Sequence, residues 1–167
     1  MRNALAAGAR ADTLILGLPF YGRVFVCDKS WLPPSSKGAP GRCSCVEKNF
    51  MKKTLDLLWG VAHKTHGSHG CTVGYDNTTA TPWWDCPTGS GIVGIPSKWA
   101  AARQQGWYED GRSLRTKISL AASNQLRGIG AWTLHGALPT SVAGKAVWDA
   151  FAAYLASEGH GNQRVQG

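Results

Sequence analysis

The segment from Leu14 to Arg23, LILGLPFYGR, constrains the fold of this chain more than any other. It opens as a continuous apolar run, Leu14-Ile15-Leu16, and closes on Pro19-Phe20-Tyr21-Gly22-Arg23, a rim of aromatic and basic groups. A strand buried on both faces reads as an apolar run rather than as an alternation of apolar and polar residues. In barrels of alternating strands and helices, the chemistry sits where the strands end. The segment is therefore expected to form a barrel strand over 13–19 that delivers a phenol and a guanidinium to a pocket. A later segment of the same style, Leu126 to Leu134 (LRGIGAWTL), ends in Trp132.

The chain has 167 residues, enough for one ordinary domain, whereas a complete eightfold barrel needs ~250. Eighteen Lys and Arg against ten Asp and Glu give a net charge of +8. Such an excess suits nucleic acid, an anionic glycan or an acidic surface. The basic residues are scattered and no nucleic-acid motif accompanies them, so nucleic acid is not an expected partner. No apolar run approaches the ~20 residues that span a bilayer. In the Ala-rich start, Gly8-Ala9-Arg10 interrupts any signal-peptide core, so no signal peptide is read in this chain. Cys27, Cys43, Cys45, Cys71 and Cys86 cluster in the loop-rich middle. That clustering favours disulfides and an oxidising compartment, and the odd count leaves one thiol free or paired elsewhere. Asn77-Thr78-Thr79 is a glycosylation sequon.

Along the chain, 2–10 reads as the end of a helix, and the rim of the first strand runs to about Val26. Residues 27–45 read as loop, rich in Pro, Gly, Ser and Cys. Val46, Phe50, Leu57 and Val61 recur near helical spacing, so a helix is expected over 46–62. TPWWD, 81–85, reads as a short strand, Lys98 to Gln104 as a helical piece, and Gln105 to Glu109 as the return strand of a hairpin. Leu114, Ile118 and Ala122 predict a helix over 112–123 capped by Asp110 or Ser113. A strand over 127–134 follows. A last helix over about 141–157 is expected to turn Val142, Val147, Phe151 and Leu155 inward and to stop at Gly159. The order of helix, strand, excursion, helix, strand and helix suits parallel strands with crossover helices. Two such strands alone cannot cover their own edges.

These residues resemble glycoside hydrolase family 18, the chitinase family. LILGLPFYGR resembles its seventh barrel strand, and Gly106 to Leu134 its seventh helix and eighth strand. The pattern W-Y-(D/E)-(D/N)-x-x-S-(I/L)-x-x-K is met by Trp107, Tyr108, Glu109, Asp110, Ser113, Leu114 and Lys117. Gly38-Ala39-Pro40 and Thr81-Pro82-Trp83-Trp84 also fit. The short excursion between the two strands is most similar to the di-N-acetylchitobiase branch. The implied fold class is α/β, the C-terminal portion of a (β/α)8 barrel with a short loop or hairpin excursion between its last two strands. Residues 1–158 would form this partial barrel and 159–167 a disordered tail.

The resemblance implies a hydrolase of β-1,4-linked N-acetylglucosamine oligomers or chitin that needs neither cofactor nor metal. Hydrolysis in the family is retaining and substrate-assisted, an exception to the usual carboxylate pair. The family's fourth strand carries D-x-x-D-x-D-x-E, whose Glu protonates the leaving oxygen while the substrate's acetamido oxygen attacks the anomeric carbon. No such spacing exists among the ten acidic residues here, nor is the M-x-Y-D motif of the sixth strand present. The catalytic strand is accordingly expected upstream of Met1, and no catalytic residue is assigned. Trp132 is implied as the aromatic floor under the sugar, since an indole face stacks on the apolar face of a pyranose. Tyr21 and Arg23 would hydrogen-bond sugar from the rim, and Trp84 could line an outer subsite or pack a hairpin. The expectation is a monomer, secreted or lysosomal, with a glycan-binding module of chitinase-like origin as the alternative. A small independent disulfide-stapled domain is a third reading.

Glu109-Asp110 is not a catalytic pair, because adjacent strand residues point to opposite faces; cap and surface roles are expected instead. His63, His66, His69 and Cys71 are metal-ligand types. Their spacing suits no common zinc motif, and the histidines are read as solvated loop residues.

Overall fold

A computed structural model describes residues 2–27, 31–32, 41–43, 50–54, 58, 62, 71–87 and 102–161. In chain order the elements are α1 (Arg2–Ala6), β1 (Ile15–Pro19), β2 (Tyr21–Cys27), β3 (Trp31–Leu32), β4 (Arg42–Cys43), β5 (Phe50–Thr54), β6 (Thr72–Asp76), β7 (Thr81–Cys86), β8 (Arg103–Trp107), α2 (Gly111–Ser123), β9 (Gly128–Trp132) and α3 (Val142–Gly161). The expected parallel pair exists: β1 runs beside β9 in register from Ile15↔Gly128 to Pro19↔Trp132. Phe20 N–H extends this pairing by donating to the Trp132 carbonyl at 2.7 Å.

The pair is less enclosed than the apolar run predicts. Leu18 is buried, but Ile15 is 62 % exposed and Gly17 is exposed as well. Among the described strands β1 has β9 as its one neighbour, so a single face meets the helices. The rim past Pro19 is itself a strand. After Phe20 alone, the chain enters β2, a member of a five-stranded antiparallel sheet ordered β5-β2-β8-β7-β6. The expected hairpin is present within it as β7 paired to β8, and it is widened by β6, β2 and β5.

The helix expected over 46–62 gives way to β5 across Phe50–Thr54, whose backbone pairs with β2 from Phe25↔Phe50 to Tyr21↔Thr54. Here cross-strand pairing outweighs a helical period, the usual outcome when a free sheet edge is at hand. Leu58 and Ala62, further along the same stretch, are helical and buried. Arg103 and Gln104, expected at the end of a helical piece, belong to β8; Lys98 to Ala101 lie outside the described residues. So do His63, His66 and His69, whereas Cys71 is bonded to Cys86 and is no thiolate ligand.

α2 forms as its pattern requires. Asp110 caps it: its carboxylate accepts from Ser113 N–H at 2.7 Å, and Ser113 Oγ accepts from Asp110 N–H at 2.8 Å. This reciprocal box satisfies two otherwise orphaned donors. Leu114, Ile118 and Ala121 face inward; Ala122, expected beside them, is exposed. α3 packs on α2 through Ala143, Val147, Ala150 and Tyr154, while Val142 and Leu155 are 69 % and 66 % exposed. The apolar stripe is thus offset from the expected one, because small alanines let the helices approach. A Cβ on Gly111 would stand 2.8 Å from the Ala146 carbonyl oxygen. The helix also continues past Gly159, to Gly161.

One apolar core joins the parallel pair, the antiparallel sheet and both long helices. Phe20, fully buried, stands at its centre, meeting the rings of Trp148 and Phe151 edge to face at 5.2 Å each. Trp148 N–H in turn donates to the Ala137 carbonyl at 3.0 Å.

Candidate functional site

The site begins at the C-terminal ends of β1 and β9. Pro19 and Trp132 are register partners there. Trp132 is 66 % exposed, so the face of its indole is open to a ligand. Beyond Pro19, side chains of β2 alternate. Gly22, Val24 and Val26 turn to the core, while Tyr21, Arg23 and Phe25 face a groove. Gly22 is required at its position: a Cβ there would stand 2.8 Å from Tyr108 Cβ and collide with the Trp107 carbonyl and Leu58.

The groove encloses about 540 Å³, and its walls include Pro19, Tyr21, Arg23, Asp76, Trp107 and Glu109. β2 and β8 lie side by side along it, with Arg23 the register partner of Trp107. Trp107 is held by its own strand, donating from Nε1 to Gln105 Oε1 at 2.9 Å. Asp76 ends β6, and the hydroxyl of Thr79 and the backbone N–H of Thr78 hold its carboxyl below the usual range.

Glu109 forms the floor. It is 6 % exposed, not the surface residue expected. Its carboxylate pairs with Lys117 and accepts from Ser113 Oγ at 2.6 Å. Lys117 Nζ also reaches Thr81 Oγ1 at 3.3 Å, tying α2 to the start of β7. Burial raises the Glu109 carboxyl above its ordinary range, against the opposing pull of Lys117 and Ser113. Burial likewise raises the Tyr108 phenol, with the Asp110 charge adding to it.

The structure therefore brings Tyr21 and Arg23 into one groove and sets Trp132 beside it, on the strand partner of the groove residue Pro19. Trp84 is placed otherwise. It is 0 % exposed, in the core, with its indole against Gly106. The packed-hairpin alternative accounts for it, since β7 lies between β8 and β6 and turns Trp84 away from solvent. Asp76, Trp107 and Glu109 are groove residues that sequence reasoning did not assign to the site. β8 reads Arg-Gln-Gln-Gly-Trp, with no apolar alternation to single out Trp107, and nothing local pointed to Asp76.

What this arrangement can do is hold a polar ligand with apolar faces. An open indole and a second half-buried one offer flat surfaces, while a phenol, a guanidinium and a carboxylate offer hydrogen bonds. Sugars have that combination of faces.

Comparison with known proteins places the fold in a family. Residues 1–137 match the family described as Glycosyl hydrolases family 18. The chain belongs to that family. A protein from Dictyostelium discoideum named "Probable di-N-acetylchitobiase 1" is 22 % identical over 143 residues, covering 80 % of this chain and 35 % of its own. The Group IV chitinase of Ostrinia furnacalis, solved with allosamidin, superposes with a TM-score of 0.61 at 18 % identity, over 93 % of this chain and 38 % of that one. Human YKL-39, described as a pseudo-chitinase that retains chitooligosaccharide binding, superposes at 0.59 with 13 % identity, over 93 % and 38 %. The chain thus spans little more than a third of the length of these relatives. Its fold is α/β, the C-terminal portion of a (β/α)8 barrel in which β1 and β9 are barrel strands and the antiparallel sheet lies between them.

Proposed function

We propose that this chain holds β-1,4-linked N-acetylglucosamine oligomers for a substrate-assisted, retaining glycosidase and does not itself carry the catalytic acid. The carrying observation is the open indole of Trp132 at the end of β9, beside a groove that presents Tyr21 and Arg23. Trp132 stacks on one sugar ring, and Tyr21 and Arg23 hydrogen-bond its neighbours. The spacing D-x-x-D-x-D-x-E is absent from the 167 residues. The acid that protonates the leaving oxygen therefore comes from outside them. The name of the Dictyostelium relative supports chitobiose-type substrates. The Cys71–Cys86 disulfide supports a secreted or lysosomal setting.

The test is a chitin pull-down joined to a chromogenic chitobioside assay on the isolated chain. Binding without turnover is expected. Trp132→Ala should weaken binding at least ~10-fold, about 1.4 kcal/mol, without changing the unfolding midpoint. Turnover by the isolated chain would overturn the account of the acid. A second reading, a glycan-binding protein with no catalytic partner, is favoured by the same missing spacing and by the likeness to YKL-39. It predicts that no longer form of the chain hydrolyses the chitobioside.

A further inference from the structure

We infer that Asn77 is the attachment point of an N-linked oligosaccharide, at the tip of a hairpin whose base the Cys71–Cys86 disulfide closes. This goes beyond the sugar-holding reading and does not depend on it. The hairpin runs from β6 through the turn at 77–80 to β7, and the disulfide joins Cys71, just before β6, to Cys86, the last residue of β7. Bond formation at its base requires an oxidising compartment. That is where sequons are modified, so two independent features of one hairpin point to one setting.

Local chemistry at the tip fits. The acceptor triplet needs an amide, a non-proline residue and a hydroxyl, here Asn77, Thr78 and Thr79. Of the chain's asparagines it is the one in such a triplet. Asn77 is exposed and its amide makes no hydrogen bond among the described residues. Its neighbours hold the turn without it. Asp76 accepts from Thr78 N–H at 3.0 Å and from the Thr79 hydroxyl at 2.6 Å, while Ala80 takes a left-handed φ of 51°.

A place for the first sugar adjoins the turn. Between 77–80 and the outer face of α2 lies a depression of about 550 Å³. Thr116, Ser119 and Ser123 give it hydroxyls, and Leu120, 42 % exposed, gives it an apolar patch. An N-acetylglucosamine on Asn77 would rest its apolar face on Leu120. Asn77 is not among the residues of the Tyr21–Arg23 groove, although its neighbours Asp76 and Thr79 are.

The step transfers an oligosaccharide from a lipid pyrophosphate donor. Asn77 Nδ2 bonds to the anomeric carbon, the bond from that carbon to the pyrophosphate oxygen breaks, the amide loses one proton and the lipid pyrophosphate leaves. Because the folded turn commits the Thr79 hydroxyl to Asp76, transfer precedes closure of the hairpin.

The full chain should be expressed behind a heterologous leader in a eukaryotic secretory host. Secreted and intracellular pools are then mapped by peptide mass spectrometry before and after peptide N-glycosidase. Asn77 is expected to carry glycan and to appear as Asp after enzyme treatment. N77Q and T79V should lose the whole mass increment, and T79S should retain it. An unmodified Asn77 peptide in both pools, beside a co-expressed glycoprotein that is modified, would overturn the inference. So would an increment that survives N77Q. Trp132→Ala should leave occupancy unchanged, which separates this result from the chitin-binding test.

Discussion

Glu109 shows what a single buried charge demands. Its carboxylate sits at the groove floor with Lys117 and Ser113 as partners. A carboxylate deprived of its cation in such a place is strongly destabilising, whereas removing both charges together costs less. Lys117→Met should therefore lower the free energy of unfolding by about 2 kcal/mol or more, measured by urea titration. Adding Glu109→Gln should restore part of the loss. If the double variant is no better than the single, Glu109 is being solvated rather than paired. Sequence showed the partners at i+4 and i+8 but not the burial. The burial arises because β7, far away in the chain, folds over the pair. Tyr21 and Arg23 were more legible: strand alternation about Gly22 puts them on one face once β2 is recognised as a strand. Trp84 was not, since a Trp in a short strand reads alike whether it faces a ligand or a core.

At the scale of elements, the antiparallel sheet leans on close packing between glycines and indoles. Gly106 lies against Trp84 and Gly74 against Trp83, and neither contact leaves room for a Cβ. The outer hairpin has in addition a covalent closure fifteen residues long in sequence separation. A loop of that size is worth about 3 kcal/mol by chain entropy. The Cys71→Ala, Cys86→Ala double variant should lose about 2–3 kcal/mol in a denaturant titration and exchange amide hydrogens faster across β6 and β7. An unchanged exchange pattern there would mean that the indole packing alone holds the hairpin. Elements whose signals were local, such as α2 with its Asp110–Ser113 box, could be read from sequence within a residue or so. β5 could not, because its partner is β2, and pairing between distant strands leaves no local trace in a segment that also has a helical period. α3 was legible in extent and type and in half of its facing: Val147 and Phe151 pack inward as expected, while Val142 and Leu155 are exposed and alanines complete the inner side.

For the whole molecule, the informative quantity is what remains uncovered. Ile15, Leu134, Leu138, Val142 and Leu155 are each more than half exposed, and a strand such as β1 has neighbours on both sides in a full barrel. A surface of that kind should bind an apolar dye. The isolated chain is expected to enhance anilinonaphthalene sulfonate fluorescence. Silence of the dye together with a sharp calorimetric peak would favour a self-sufficient domain.

The junction at Phe20 has a mechanical meaning. One residue separates the parallel pair from the antiparallel sheet, and its ring is clamped between Trp148 and Phe151 while its amide is tied to the Trp132 carbonyl. Such a junction works as a spacer rather than a tether. The separation between the exposed indole of Trp132 and the Tyr21–Arg23 rim is measured across one buried ring, so a smaller side chain at Phe20 would loosen both sides of that gap at once.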